Sequence, residues 1–275
     1  MFSVISSVLA SGVLFLFARK FIDRTTAIFV SILFLLSNAQ QYYAIEVRPY
    51  AFVQLLCISS FYIYFSLLSN AKIKHLILLF IINLLLLFTH YLTIFIFIVQ
   101  FIGILFYLKK NRKAVLCYFI SQVLVLISII PWLRIAFSNI PKSGAFWNHS
   151  PDYFGFRWAT NILLGNEMLY YIFNGLVIFS LILYLLNKKL KIFKHDFNSK
   201  YYFLFLFLYF IPIILDFVIS QYTPVFVERY FLYSLFGLFL FIAYSFSQLN
   251  IKSIYKSIVF CPLVVLLMMS FNMCA

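Results

Sequence analysis

Charge is scarce in this chain. Only 10% of the 275 residues are Asp, Glu, Lys or Arg, and seven of those are acidic. A soluble domain carries about a quarter charged residues, so with 65% hydrophobic residues a water-soluble fold is excluded. The four cysteines, Cys57, Cys117, Cys261 and Cys274, form no CxxC pair and have no histidine at zinc-ligand spacing, which removes zinc modules. Lying within or at the ends of apolar runs, they are expected to be buried free thiols. No P-loop, GxGxxG, HExxH or Ser-His-Asp order is present, leaving nucleotide-driven transport and the usual soluble hydrolase chemistries without support. No basic stretch precedes the first apolar run, and Arg19 and Lys20 follow it. That run is therefore read as a membrane span, not a cleavable signal.

What is abundant is apolar sequence. Runs near 2–18, 25–40, 50–69, 75–90, 91–108, 114–132, 168–187, 201–220, 229–248 and 257–274 predict an all-α polytopic bundle of about ten transmembrane helices in a single transmembrane domain, 1–275. From His75 to Leu108 no charge occurs over 34 residues. As one helix this stretch would be about 51 Å long, against a hydrocarbon core of about 30 Å. The polar triplet Thr89, His90, Tyr91 predicts the hairpin that folds it back. The longest connection, 133–167, mixes aromatics (Phe146, Trp147, Tyr153, Trp158) with His149 and few charges; it is expected to include a short helix on the membrane surface. The sequon at Asn148 is followed by Pro151 and carries little weight.

The formal charge of +14 would suit nucleic acid if it lay along one face, but it is broken into short clusters between apolar runs, so no nucleic-acid partner is expected. Sixteen of the 21 basic residues fall in alternate loops: Arg19, Lys20 and Arg24; Lys72 and Lys74; Lys109, Lys110, Arg112 and Lys113; Lys188, Lys189, Lys191, Lys194 and Lys200; Lys252 and Lys256. The positive-inside rule makes those loops cytoplasmic and both termini extracytoplasmic. The other side holds Arg48, Arg134, Lys142, Arg157 and Arg229 with the acids Glu46, Asp152, Glu167, Asp216 and Glu228; Asp23 and Asp196 are inside.

Polar residues on that outer side mark the candidate sites. The densest run, Gln40 to Tyr50, contains Glu46, Arg48 and Pro49. Proline suits the opening of a helix and pushes Arg48 out of helical conformation, so the stretch before it is expected to be extended, with Glu46 and Arg48 pointing the same way. A helix N-terminus beside a guanidinium suits a phosphate. The plainer alternative is an ion pair beside an interfacial belt of Tyr42, Tyr43 and Tyr50. Glu228, Arg229 and Tyr230 open the ninth predicted span, and His90 with Tyr91 caps the hairpin; each is equally readable as an interfacial anchor. Asp216, four residues after Pro212, is an intramembrane carboxylate for which Arg229 is the expected partner.

The segment YYAIEVRPYAF (42–52) resembles the YYxQEARPYAL segment of polytopic GT-C glycosyltransferases of the protein-mannosyltransferase and aminoarabinose-transferase type. FARKFIDRTTAIFVSILFLLSN before it, THYLTIFIF after it and ERYFLYSLFGL near the end are similar to that family in order and spacing. The resemblance covers residues 1 to about 135 and returns at Glu228 to Leu238. It implies an inverting transfer of a sugar from a polyprenyl-phosphate carrier to a lipid, glycan or protein acceptor, at the extracytoplasmic face of a bacterial inner membrane. No nucleotide or other cofactor is implied, and a divalent cation is left open. It assigns Glu46, Arg48 and Tyr50 to the site, with His90, Tyr91, Arg229 and Tyr230 lining the same cavity and Arg48 and Arg229 holding the lipid phosphate. The family's catalytic base is an Asp in the first outer loop. Met1 aligns with the family's second span, so that loop is expected to be missing, leaving an inactive, truncated or partner-dependent enzyme. A transporter or flippase of lipid-linked sugar and a noncatalytic membrane scaffold are the alternatives; no internal repeat supports the transporter.

Overall fold

The computed structural model describes residues 1–108, 111–138 and 149–271. Lys109, Lys110, Lys142, Phe146, Trp147, Asn148 and Cys274 lie outside them. The described chain is helical: α1 (Phe2–Phe21), α2 (Arg24–Leu36), α3 (Asn38–Ile45), α4 (Tyr50–Ser69), α5 (Ile73–Thr89), a 3-10 turn (Tyr91–Thr93), α6 (Ile94–Leu105), α7 (Arg112–Ser138), α8 (Tyr153–Leu164), α9 (Glu167–Leu190), α10 (Ser199–Ile219), a 3-10 segment (Glu228–Ser234), α11 (Leu235–Ser247) and α12 (Ser253–Phe271). Among the described residues no β-strand occurs, only an isolated bridge between Phe193 and Leu249.

Six helical segments are long and apolar enough to cross a bilayer, and a seventh if α2 and α3, bent by 58°, count as one. Three shorter apolar helices cover Ile73–Thr89, Tyr91–Leu105 and Ile254–Ser270. α11 is buried nearly all round, packed on α2 and α10, while α1 lies against α2 and α4. At the periphery the pattern reverses. α7 turns Val123, Leu126 and Ile127 outward, and α9 does the same with Ile178, Phe179 and Leu185. Apolar side chains on this scale facing outward are stable only against another apolar phase, which is what a multi-pass membrane protein presents to lipid.

With lipid outside, burial of apolar area no longer drives helix against helix, so close packing and interhelical hydrogen bonds do more of the work. Both are present. The Ser60 hydroxyl donates to Asn83 Oδ1 (2.6 Å) and accepts from Gln100 Nε2 (2.7 Å), joining α4, α5 and α6 inside the core. Ser180 meets the Tyr202 hydroxyl and donates to Ser245, each at 2.9 Å, joining α9, α10 and α11. Gly237 brings α11 so close to α10 that a Cβ there would lie 2.9 Å from the Leu208 carbonyl carbon.

The helix ends sort the loops. Asp23 caps α2 through the Thr26 amide (2.8 Å) and also accepts from Ser247 Oγ (3.2 Å) and Gln248 Nε2 (2.9 Å) at the end of α11. Lys20 donates to Ser66 (3.2 Å), Asn111 to the Leu68 carbonyl (3.0 Å), and Lys200 to the Phe106 carbonyl (3.3 Å). Loops assigned to one side by charge alone are thus held together at one end of the bundle.

Several expectations need correction. Residues before Pro49 are not extended throughout: α3 runs to Ile45, and only Glu46 (φ −70°, ψ 134°) begins the non-helical corner. The connection taken to start at 133 begins later, because α7 continues through Pro131 to Ser138; in membranes neighbouring groups satisfy the carbonyl that proline frees. Of the cysteines, Cys57 is buried, Cys117 half-buried and Cys261 exposed on the outside of α12. Asp216 does not pair with Arg229: it is 1% exposed, and neither carboxylate oxygen has a hydrogen-bond partner.

Candidate functional site

The end opposite the basic loops begins with the corner between α3 and α4. Ser37 (φ −65°, ψ 126°) interrupts the long apolar run and turns α3 away from α2. α3 stops at Ile45, and Pro49, without an N–H, precedes the first residue of α4. The corner is fastened twice. Ser3 of α1 donates to the Glu46 carbonyl (2.9 Å), and the Arg48 amide donates to the same oxygen (2.8 Å). This fold brings Arg48 Nε to 3.0 Å from Glu46 Oε1, the same-side placement expected from sequence. The Tyr50 hydroxyl, then the Glu46 carboxylate, push the Arg48 guanidinium further toward its protonated form.

Two further segments reach this corner. α5 ends at Thr89, His90 is extended (φ −156°, ψ 108°), and the 3-10 turn begins at Tyr91, so the hairpin lies at the predicted triplet. Its ring centroid is 6.2 Å from Tyr50, 5.0 Å from Tyr230 and 5.7 Å from Tyr91, with the last pair stacked. Burial pushes His90 down to about 4, which makes the ring neutral near pH 7, and Nδ1 has no hydrogen-bond partner. From the other side comes the 3-10 segment Glu228–Ser234. Tyr230 stands 6.3 Å from Tyr50, and the Arg229 guanidinium lies over the Tyr230 ring at 5.7 Å. Arg48 and Arg229 are both within electrostatic reach of the Tyr50 hydroxyl. The seven residues singled out in the sequence, from three separate segments, therefore form one contact cluster.

Beside it opens a cavity of about 600 Å³ whose wall includes Asn38, Tyr42, Tyr43, Glu46, Glu228 and Arg229. Glu46 and Arg229 thus line the cavity directly. Arg48, Tyr50, His90, Tyr91 and Tyr230 are not on that wall, against the expectation that His90, Tyr91 and Tyr230 line it; they stand behind it, Arg48 against Glu46, Tyr50 edge-on to Tyr43 (5.7 Å), His90 and Tyr230 against Tyr50, and Tyr91 against His90. α8 closes one side: Gly165, at φ +109°, ends it where a Cβ would fall 2.8 Å from Asn38 Nδ2. That helix buries Ala159, Thr160, Leu163 and Leu164 and exposes Tyr153, Phe154 and Trp158, the two-faced pattern of a surface helix.

The residues assigned to the site by the resemblance do not include Glu228 or Tyr43, although both lie in the polar runs singled out above, and Asn38 falls in neither run. The Tyr43 hydroxyl donates to Glu228 Oε1 at 3.1 Å, across 185 residues of chain. Asn38 is 8% exposed; its Oδ1 accepts from Ser270 (3.3 Å), and its Nδ2 has no partner. Adjacency to Arg229 was the one available signal for Glu228; nothing local marks Asn38. Among the described residues no group of three or more His, Cys, Asp or Glu is placed to hold a metal ion.

In chemical terms the arrangement offers two guanidinium groups for an anion, tyrosine faces and edges for a ring, and carboxylates and an amide donor for hydroxyls. Compared with protein-family models, with curated proteins and with solved structures, the chain matches none.

Proposed function

We propose that this chain is a polytopic membrane glycosyltransferase that moves a sugar from a polyprenyl-phosphate carrier to a lipid, glycan or protein acceptor at the extracytoplasmic face of a bacterial inner membrane, in the manner of the GT-C enzymes its motifs resemble. One observation carries the reading: Glu46, Glu228 and Arg229 line a cavity of about 600 Å³ at the end of the bundle away from the basic loops, and Arg48, Tyr50, His90, Tyr91 and Tyr230 form a contact cluster beside that wall. A donor of this kind has an apolar tail that suits the lipid-facing helices and a phosphate that suits Arg48 and Arg229. Its sugar ring suits tyrosine and amide side chains. In this reading the bent pair α2–α3 and the shorter helices α5, α6 and α12 also count as crossings, which gives ten, with both termini outside.

Chemistry of this kind needs cations where the departing phosphate gathers charge and a base for the acceptor hydroxyl or amine. The test is reconstitution of the chain in vesicles supplied with labelled polyprenyl-phosphate mannose or polyprenyl-phosphate aminoarabinose and extracted acceptor. Labelled acceptor supports the transferase. Movement of intact donor across the bilayer without product replaces it with a flippase, and neither binding nor movement leaves a scaffold.

A further inference from the structure

We infer that Glu228 is the group that takes the proton from the acceptor, and that Tyr43 is the positioning residue that aims it; the inference rests on the transferase reading. Five carboxylates occupy this end of the bundle, and four are committed or out of reach. Glu46 is on the cavity wall and keeps Oε2 without a hydrogen-bond partner, but its Oε1 is paired with the Arg48 guanidinium at 3.0 Å, which ties the carboxylate to a permanent cation. Glu167 is paired with Arg157. Asp152 caps α8 by accepting from the Gly155 amide (2.7 Å). Asp216 is sealed within the helix packing at 1% exposure and is not on the cavity wall.

Glu228 differs from all four. It is on the cavity wall, half-buried, and takes part in neither of the two ion pairs found among the described residues. One oxygen, Oε1, accepts from the Tyr43 hydroxyl. A neutral phenol orients a carboxylate without placing a permanent positive charge against it. Tyr43 is itself fixed: 4% exposed, with edge-on contacts to Tyr42 (5.1 Å) and Tyr50 (5.7 Å). An independent sign that the cavity receives a hydroxylated ligand is Asn38. This buried side chain on the same wall has one amide atom engaged by Ser270 and its Nδ2 without a partner, an arrangement that is costly unless something polar docks there.

The step balances as follows. The acceptor O–H bond breaks and its proton passes to the Glu228 carboxylate. The acceptor oxygen forms the new bond to the sugar's anomeric carbon. The bond from that carbon to the phosphate oxygen breaks, its electron pair leaving with polyprenyl phosphate toward Arg48 and Arg229. For an amine acceptor the nitrogen attacks and its proton takes the same path.

The experiment compares the full chain with Glu228→Gln, Glu228→Asp and Tyr43→Phe in the same vesicles and with the same two labelled donors. Donor binding, turnover and melting temperature are measured separately. Glu228→Gln is expected to lower turnover about 100-fold or more, the usual range for losing a general base, while donor affinity stays within twofold and the melting temperature is held. Glu228→Asp is expected to recover part of the rate. Tyr43→Phe is expected to lower turnover less and to displace the acidic limb of the pH–rate profile, which a purely structural tyrosine would leave in place. Wild-type turnover in Glu228→Gln, or a loss of donor binding as large as the loss of turnover, overturns the assignment and leaves the transferase standing. A wild-type chain that binds neither donor and makes no product overturns the transferase and this role together.

Discussion

Replacing Gly237 with alanine tests whether α10 and α11 approach as closely as described. An added Cβ would stand 2.9 Å from the carbonyl carbon, the Cβ and the Cγ of Leu208, where ordinary carbon contacts need about 3.5–4.0 Å. The leucine tip can rotate away, but the backbone carbon cannot, so the helices must separate by several tenths of an ångström. Overpacking of this kind costs about 1–3 kcal/mol, and removing a helical glycine returns at most about 1 kcal/mol, so with the full return counted the net loss is up to about 2 kcal/mol. Gly12 in α1 and Gly175 in α9 supply the opposite sign. A Cβ at either meets nothing within 4 Å, so Gly12→Ala and Gly175→Ala gain up to about 1 kcal/mol. Scanning fluorimetry of the purified protein in nanodiscs reads all three, at about 2–4 °C per kcal/mol for chains of this size. The expected order is Gly237→Ala below wild type, with the other two level with it or above. A Gly237→Ala protein as stable as Gly12→Ala would refute the close approach.

Three further outcomes follow from the site and the topology. Arg48→Ala should abolish binding of the labelled polyprenyl-phosphate donors while Lys72→Ala, at the basic end, leaves it unchanged; equal effects in a binding assay would break either the site or the sidedness. In a cysteine-free background, Thr89→Cys should react with an impermeant reagent added outside intact cells and Asn111→Cys should not, and the reverse pattern inverts the bundle. His90 titrates at about 4 in the folded protein against about 6.5 when unfolded. The stability tied to its neutral form is therefore full above pH 6.5 and lost as the pH falls toward 4. Melting curves between those limits should be steeper in pH for wild type than for His90→Gln, and identical slopes would show that the ring is not buried as described.

Much of the helix order was readable because charge clusters in an apolar chain can only sit at its turns, and because Thr89–Tyr91 is a run of three consecutive polar residues near the middle of a 34-residue uncharged stretch in which Asn83, Thr93 and Gln100 stand singly. The bend at Ser37 was not readable, since a serine and an asparagine inside an apolar run are as common in straight spans as in broken ones. α7 ran on through Pro131 because a membrane helix tolerates the missing hydrogen bond. Asp216 and Arg229 are near in sequence across one short connection, yet that nearness did not bring the carboxylate a hydrogen-bond partner; a residue's face on its helix decides contact, and Asp216 is buried with both oxygens unpartnered. The site residues that composition made conspicuous did come together. The bond between Tyr43 and Glu228 did not announce itself, because hydrogen bonds between distant segments leave no local pattern.

The clasp at the basic end bears on the order in which the chain assembles. Asp23 is an early residue, but two of its acceptor bonds are made to Ser247 and Gln248, 224 and 225 positions later. While ribosome and membrane hand over the chain from its beginning, the Asp23 carboxylate has only Thr26 to serve. No stretch shorter than residues 23–248 contains the closed clasp. α11, buried nearly all round and packed against α2, is therefore the element whose arrival completes the clasp, and it continues directly from the 3-10 segment that carries Glu228 and Arg229 on the cavity wall.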